Sequence, residues 1–241
     1  MTNLSASNPS PNDDTLARWR DFQKSKLYDG LAALPVILWY GASAGALVPA
    51  LAAEINRTDI HALDLHFVTE VLARTAAIAL VITALVFLVL RGPAKVKSKG
   101  VAPRLVAIAG TYLSVLIVWL PQHPMNIALS FLSLFLMLGG AGFATFALLH
   151  LGRSFSLMPE ARRLVTDGPY ASIRHPLYVG EFLATLGLML QYLSPLAVLI
   201  VVCVIALQFQ RMHNEELVLS EMFPEYQGYR ARTARLVPGV Y

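Results

Sequence analysis

The sequence predicts an all-α, polytopic integral membrane protein, and its composition and charge spacing carry that prediction. Of 241 residues, 56% are hydrophobic and 14% are charged, with a mean hydropathy of +0.57, whereas a soluble domain carries about 25% charged residues. No Asp, Glu, Lys or Arg occurs in residues 30–53, 105–149 or 182–210, and a membrane-crossing helix needs about 20 mainly apolar residues. A disordered chain, a secreted disulfide scaffold and a free cytosolic enzyme are therefore excluded. The lone Cys203 lies in an apolar run and is predicted to be a buried structural thiol.

Six apolar segments, bounded by charges or by Pro and Gly, predict about six transmembrane helices. They lie approximately at residues 31–53, 71–90, 102–120, 125–149, 177–191 and 195–210. The last two are separated by only a few residues, and each is shorter than a full crossing at 1.5 Å per residue. They are therefore expected to form a tight helical hairpin whose outer ends continue into water or into a protein-lined cavity.

The basic residues predict the orientation of the chain. With six crossings, 17 of the 19 Lys and Arg residues fall on one face, and only Arg57 and Arg74 fall on the other. Because cytoplasmic loops carry the excess of Lys and Arg, both termini are predicted to be cytoplasmic. Lys95, Lys97 and Lys99 are explained by this orientation rather than by contacts with nucleic acid. We expect a multi-pass protein, in the cell membrane if the source is prokaryotic, with its active site facing the cytoplasm.

Three regions follow from this pattern. Residues 1–30 form a polar N-terminal tail and interfacial segment, in which residues 1–15 have a disordered composition rather than that of a signal peptide. Residues 31–149 form a four-helix transmembrane scaffold. Residues 150–241 contain the hairpin and most of the polar groups that orientation does not explain.

The first polar cluster lies in residues 164–181. Asp167, Gly168 and Pro169 predict a turn, and Pro176 suits the first turn of a helix because its missing N–H would have no partner there. His175 is then at the entrance of the fifth helix, with Tyr178 and Glu181 following at three-residue intervals on roughly one face. An acid inside a membrane helix is costly unless partnered, so Glu181 is a functional candidate.

The second cluster, Arg211, His213, Asn214, Glu215 and Glu216, lies on the extension of the sixth helix. Because the hairpin is tight, this extension is expected to return antiparallel to the fifth helix and to lie near His175 and Tyr178. Together they predict a pocket with a cation and a carboxylate at the cytoplasmic edge of the membrane. Taken singly, His175 and Arg174 could mark an interfacial boundary, Tyr178 could belong to an aromatic belt, and Arg211 with Glu215 could be a surface pair.

The two clusters together resemble the isoprenylcysteine carboxyl methyltransferases, which group with the phospholipid methyltransferases as integral membrane enzymes. The resemblance covers about 90 residues at the C-terminal end, and the Arg-His-Pro-x-Tyr-x-Gly stretch is its most specific part. The residues that carry it are 151–156, 164–170, 174–181, Glu215–Glu216, 223–226 and Tyr229.

The resemblance implies a cofactor, S-adenosylmethionine, and a set of residues that contact it. These are Glu160, Arg163, Leu164, Val165, Tyr170, His175, Pro176, Leu177 and Tyr178, with Glu215 opposite. It places Arg211 where the prenylcysteine enzymes hold an arginine that faces the carboxylate of the acceptor. An amine or thiol acceptor would instead need a base, for which Glu181 or Glu216 is the candidate.

The sequence therefore predicts a methyltransferase that acts on a lipophilic acceptor supplied by the bilayer, with carboxylate, amine and thiol acceptors left open. No metal is expected, because His175 and His213 lack ligand-like companions. An NADPH-dependent reductase of the sterol reductase type is the alternative enzyme, since its hairpin carries a similar Arg-His-Pro pattern. A transporter or a structural membrane protein is the alternative outside enzymology, although no internal repeat is found. The oligomeric state is left open.

Overall fold

The computed structural model describes residues 26–57 and 65–239, so the predicted disordered tail lies outside the described residues. Most of the described chain is helical, as the all-α prediction requires. The helices are α1 (Lys26–Arg57), α2 (Leu65–Leu90), α3 (Ala102–Tyr112), α4 (Ile127–Leu151), α5 (Pro176–Gln191), α6 (Pro195–Met222) and α7 (Tyr226–Arg232). The all-α prediction needs one correction, because β1 (Val96–Lys97) pairs antiparallel with β2 (Glu160–Ala161).

Five helices within the described residues are long and apolar enough to cross a membrane. They span Ala33–Asn56, Val71–Leu90, Ala102–Trp119, Ile127–Ser154 and Pro195–Met222. The third combines α3 with a 3-10 helix over Leu113–Trp119, where a single helix was predicted. The fifth predicted segment is α5, which has only 16 residues, so it is a short hairpin arm. The other arm, α6, has 28 residues and extends well past the predicted end at residue 210.

The helices pack in a spatial order that differs from their order in the chain. α1 lies on α2, α2 on α4, α4 on α5, α5 on α6, and α6 on α3. The contact between α4 and α5 is the most extensive. Cys203, predicted to be buried, is exposed on the surface of α6, because the apolar character of a lipid-facing side chain cannot be told from that of a core side chain by sequence.

Glycines allow α4 and α5 to approach closely. A Cβ atom at Gly140 would lie 2.4 Å from the backbone nitrogen of Ala184, and one at Gly180 would lie 2.5 Å from the backbone nitrogen of Ala144. Gly187 is also in contact with α4, and its carbonyl accepts a 2.7 Å hydrogen bond from Ser133. The glycine of the Arg-His-Pro-x-Tyr-x-Gly stretch therefore has a packing role, which fixes the position of the residues before it.

Two connecting segments, the one between α2 and α3 and the one after α4, meet at one end of the helices beside the site. β1 and β2 join the α2–α3 connection to the segment after α4. The side chain of Arg153 donates to the carbonyl of Leu90 (2.8 Å), and that of Arg162 donates to the carbonyl of Gly92 (2.8 Å). Arg91 and Arg162 are themselves buried. Arg153 and Arg162 therefore hold the two connections together, in addition to any part they have in orientation.

Candidate functional site

An open cavity lies at the end of the helices where these connecting segments meet. Its volume is about 820 Å³ when the solvent space at its mouth is included. Its walls come from the segment after α4, from the start of α5 and from the second half of α6, and α7 adds two tyrosines. The lining includes Leu151, Ser154, Phe155, Ser156, Met158, Glu160, Arg162, Arg163, Leu164, Val165, Tyr170, Arg174, His175, Leu177, Tyr178, Arg211, Glu215, Leu219, Tyr226 and Tyr229.

The predicted turn at Asp167, Gly168 and Pro169 is present and delivers Tyr170 to the cavity wall. Gly168 has a φ of +57°, and a Cβ atom there would lie 2.1 Å from the ring of His150. Both the backbone conformation and the space therefore require glycine. The next residues form a 3-10 turn over Gly168–Ala171, which buries the Tyr170 side chain.

The two predicted clusters meet as expected from the tight hairpin. α5 begins at Pro176, with His175 immediately before it. The hydroxyl of Tyr178 donates a hydrogen bond to Oε1 of Glu215, and Nδ1 of His175 lies 3.9 Å from the other carboxylate oxygen of Glu215. A carboxylate on α6 is thus held opposite the first turn of α5, at the wall of the cavity.

Glu216 lies behind this wall and is surrounded by two arginines and a histidine. Its Oε1 atom is 3.0 Å from Nε2 of His175, 3.1 Å from Nε of Arg174 and 3.3 Å from Nε of Arg235. Its side chain is only 7% exposed. Glu216 is not among the lining residues, so its geometry suits a residue that positions His175 and Arg174.

The segment around Arg235 lies directly against the Arg-His-Pro stretch. The backbone N–H of Arg174 donates to the carbonyl of Ala234 (2.9 Å), and that of His175 donates to the carbonyl of Arg235 (3.2 Å). The side chain of Arg174 also donates to the carbonyls of Arg230 and Thr233. These bonds fix the loop that carries His175 into the site.

Arg211 is buried between the cavity and α3. One terminal nitrogen donates to the Thr111 hydroxyl and to Oε1 of Gln208, both at 3.1 Å, and the other donates to the Leu157 carbonyl (3.3 Å). The guanidinium carbon lies 5.1 Å from the centre of the Tyr178 ring, a cation–π distance. Glu215 is 3.9 Å away, so Arg211 and Glu215 share a face as predicted.

Glu181 lies one turn further along α5, outside the lining. Its Oε2 atom accepts a 2.9 Å hydrogen bond from Gln208, which in turn accepts from Arg211. Within the described part of the chain, Glu181 is therefore linked by hydrogen bonds to Arg211, a lining residue, through Gln208.

Glu160 is held in the cavity wall that the segment after α4 forms. Its Oε2 atom accepts from the Ser156 hydroxyl (2.9 Å) and from Arg162 (2.8 Å). Because β2 pairs with β1, the α2–α3 connection supports this wall. Arg163, Leu164 and Val165 follow in the chain and also line the cavity.

The tyrosines around the cavity keep their protons at neutral pH. Burial raises the pKa of Tyr170 well above its usual value, with the Glu215 carboxylate adding to the effect. Burial also raises the pKa of Tyr226 and raises that of Tyr229 to about 12. All three hydroxyls are therefore hydrogen-bond donors near pH 7.

Replacing Tyr229 by phenylalanine is expected to lower the stability of the protein by about 1 kcal/mol. The reason is that its hydroxyl donates a 2.7 Å hydrogen bond to the carbonyl of Tyr170. Tyr226→Phe is the matched control, because the buried Tyr226 hydroxyl has no hydrogen bond among the described residues. Thermal denaturation in detergent measures both variants, and an equal loss in the two would contradict this assignment.

Ten of the residues predicted to form the site line the cavity, and three do not. Pro176, Glu181 and Glu216 lie outside the lining. Sequence reasoning missed Thr111 and Gln208, which hold Arg211. It counted Arg162 only among the orientation charges, and it gave Arg174 no site role beyond its place in the Arg-His-Pro stretch. No local signal in the sequence distinguishes these four, because their roles depend on which elements pack together. Which residues bind a cofactor stays a prediction.

Comparison with known proteins identifies the part of the chain that forms this cavity. Residues 122–226 match the phospholipid methyltransferase family. They cover α4, α5, α6 and the segments between them, so the resemblance found in the motif residues is confirmed. α1, α2 and α3 lie outside the matched region.

Three curated relatives resemble parts of the chain. The protein-S-isoprenylcysteine O-methyltransferase of Schizosaccharomyces pombe is 35% identical over 99 residues, covering 38% of this chain and 42% of that protein. The cobalt-zinc-cadmium resistance protein CzcN of Cupriavidus metallidurans is 41% identical over 80 residues (31% and 35%). The nickel-cobalt-cadmium resistance protein NccN of Alcaligenes xylosoxydans xylosoxydans is 36% identical over 80 residues (33% and 38%). The similarity thus spans less than half of each relative's length.

Within the described residues, no group of three or more His, Cys, Asp or Glu side chains is arranged to hold a metal ion. The cavity is instead lined by two carboxylates, four guanidinium groups, one imidazole and several hydroxyls.

Proposed function

We propose that the protein is an S-adenosylmethionine-dependent methyltransferase that acts on a lipophilic acceptor at the cytoplasmic edge of a membrane. The observation that carries this proposal is the cavity, because most of its walls come from the region that matches the phospholipid methyltransferase family. The five apolar helices place that cavity in a membrane protein. The excess of basic residues around it favours a cytoplasmic orientation.

The residues present fit this cofactor. The cavity combines apolar side chains with a small number of charged groups and hydroxyls, the usual make-up of a small-molecule site. Two lining groups, Nε of Arg211 and the hydroxyl of Tyr226, are buried and have no hydrogen bond among the described residues. Such buried donors normally have a partner, and a polar ligand would supply one. When bound, S-adenosylmethionine would supply a methyl group carried by a sulfonium, whose thioether is an excellent leaving group in an in-line transfer.

The residues of the chain then have distinct roles. Glu215 binds the ammonium or the ribose hydroxyls of the cofactor, held in place by the Tyr178 hydroxyl. His175 faces the cofactor from the start of α5, oriented by its bond to Glu216. Glu216 is therefore a positioning residue rather than the base considered from the sequence. Because the leaving group needs little help, correct placement of donor and acceptor supplies much of the rate.

The acceptor reaches the site from the bilayer, whereas the water-soluble cofactor comes through the open mouth. Carboxylate, amine and thiol acceptors are each compatible with this arrangement. Incubating membranes with radiolabelled S-adenosylmethionine and identifying the labelled product by mass spectrometry would determine the acceptor. The family match favours methyl transfer over the reductase and the transporter considered from the sequence.

Replacing Glu215 by glutamine is expected to weaken binding of S-adenosylhomocysteine by about tenfold or more. A hydrogen bond to a charged group contributes about 1.5–3 kcal/mol, and 1.4 kcal/mol corresponds to a factor of ten in affinity. Calorimetry on the purified protein in detergent measures the dissociation constant.

Glu221→Gln is the matched control, because Glu221 is on the same helix, is 53% exposed and pairs only loosely with Lys99 at 3.4 Å. This control should bind like the unmodified protein. Equal binding by the two variants would reject the site. Thermal stabilisation by NADPH but not by S-adenosylhomocysteine would reject methyl transfer in favour of the reductase.

A further inference from the structure

The connection between α2 and α3, residues 91–101, carries positive charge at the edge of the membrane. Lys95 and Lys99 on the connection and Arg104 in the first turn of α3 are exposed, and we call these three residues the basic patch. No Asp or Glu occurs in residues 71–159. Because α2 ends, and α3 begins, an apolar segment long enough to cross a membrane, the basic patch lies at the level of the lipid head groups.

Exposed apolar side chains lie beside the basic patch. They are Val89 and Leu90 at the end of α2, and Val101 and Leu105 at the start of α3. Basic side chains next to apolar ones are the arrangement that binds a membrane surface with anionic lipids. A soluble anion would leave the apolar side chains without a partner. The combination therefore fits a lipid surface better than a polyanion in water.

The protein itself neutralises little of this charge. Two carboxylates lie on elements packed against the connection, and Glu160 is paired with Arg162 at 2.8 Å. Glu221 lies 3.4 Å from Lys99, whose side chain is 88% exposed. An exposed pair of this kind contributes little, so Lys99 can exchange Glu221 for a lipid phosphate. The other two members of the basic patch have no ion pair among the described residues.

The backbone of the same connection is bound to the wall of the cavity. The N–H of Lys95 donates to the carbonyl of Ala161 (2.9 Å), and that of Ser98 donates to the carbonyl of Pro159 (3.0 Å). Glu160, which lies between these two acceptors in the chain, lines the cavity. Both strands also pack against α6, which carries another wall. A ligand that orders the connection therefore also orders the cavity.

We propose that the basic patch binds the head groups of anionic phospholipids in the surrounding leaflet, and that this binding stabilises the cavity wall through β1 and β2. The bound lipid is an effector rather than the acceptor, because no member of the basic patch lines the cavity. The connection lies outside residues 122–226, which match the family. Lipid binding is independent of the proposed function, whereas its effect on cofactor affinity rests on that function.

The experiment uses the full-length protein in nanodiscs of phosphatidylcholine, with or without phosphatidylglycerol. Hydrogen exchange without cofactor is followed by mass spectrometry in the peptides that contain Lys95 and Ser98. Phosphatidylglycerol should slow this exchange about fivefold or more, the factor that corresponds to one basic residue near an anionic surface. Raising the ionic strength should reduce the effect. The affinity for S-adenosylhomocysteine, measured on the same samples by calorimetry, should rise with the protection.

Neutralising two members of the basic patch, Lys95→Gln with Lys99→Gln, should abolish the response to phosphatidylglycerol. Arg230→Gln with Arg232→Gln is the control matched in charge, because both arginines are exposed on α7; this variant should respond like the unmodified protein. Glu221→Gln is the control for the lost ion pair, since it removes the partner of Lys99 but keeps the lysine. It should also keep the response. Each variant is compared between the two lipids.

Unchanged exchange when phosphatidylglycerol is added would overturn the proposal, and so would a response that survives neutralisation of both lysines. An equal response to inorganic phosphate, added to neutral nanodiscs, would identify an anion site and reject the lipid surface. Slower exchange together with equal affinity for S-adenosylhomocysteine in the two lipids would reject the effect on the cavity. Slower exchange without any binding of S-adenosylhomocysteine would overturn the proposed function and leave the lipid surface in place.

Discussion

Gly140→Ala is expected to lower the thermal stability of the protein substantially, by about 1–3 kcal/mol or more, the usual cost of inserting a methyl group into a packed core. The new Cβ atom would lie 2.4 Å from the backbone nitrogen of Ala184 and 2.7 Å from the carbonyl oxygen of Gly180. Neither is a flexible side chain, so α4 and α5 must move apart. Since α5 carries His175 and Tyr178, cofactor affinity should fall together with stability.

Gly142→Ala is a matched control on the same helix. A Cβ atom at Gly142 meets nothing within 4 Å, and alanine favours a helix over glycine by about 0.8–1.0 kcal/mol. Gly142→Ala should therefore leave the melting temperature in detergent unchanged or slightly raised. If the two variants lost stability equally, the close approach of α4 and α5 would be wrong.

The difference between these glycines shows where sequence reasoning reaches its limit. The sequence contains Gly139, Gly140 and Gly142, and it predicts a kink or a close helix approach somewhere among them. Only Gly140 has neighbours within 4 Å. Which of the three faces α5 depends on the rotation of α4 about its axis, and a helix with apolar residues all round gives no periodic signal to fix that rotation.

Features determined by local sequence were predicted well. The start of α5 at Pro176 and the Asp-Gly-Pro turn depend on the backbone preferences of proline and glycine. The meeting of Tyr178 with Glu215 follows from the tight hairpin. The pairing of β1 with β2 and the hydrogen bonds from Arg211 to Thr111 and Leu157 could not be predicted in this way, because each joins segments far apart in the chain.

Charges were the most informative residues and also the most easily misassigned. Sorting the basic residues by the side of the membrane assigned Arg91 and Arg162 to orientation. Both side chains are buried, however, and they help to hold the loops at the site. Arg174 was treated as a boundary marker, yet its guanidinium binds Glu216 and two carbonyls of the C-terminal segment. In a chain with so few charges, a single arginine can serve orientation and structure together.

Glu216→Ala is expected to destabilise the protein by about 3–5 kcal/mol, the cost of removing one partner from a buried ion pair. It would leave Arg174, His175 and Arg235 without the carboxylate that they share. The C-terminal segment would then separate from the Arg-His-Pro stretch. Hydrogen exchange measured by mass spectrometry should be faster in the peptides that contain Arg174, His175 and Ala234, whose backbone N–H groups bond across this contact.

Glu221→Ala provides the comparison, because it removes a carboxylate from the same helix where the partner, Lys99, is 88% exposed. An exposed ion pair contributes about 1 kcal/mol or less, and the exchange at Arg174 and Ala234 should not change. A positioning role for Glu216 also requires that saturating S-adenosylhomocysteine restore part of the lost protection, since ligand binding stabilises the ordered site. Equal stability losses in the two variants, with no local change in exchange, would show that Glu216 does not hold the site together.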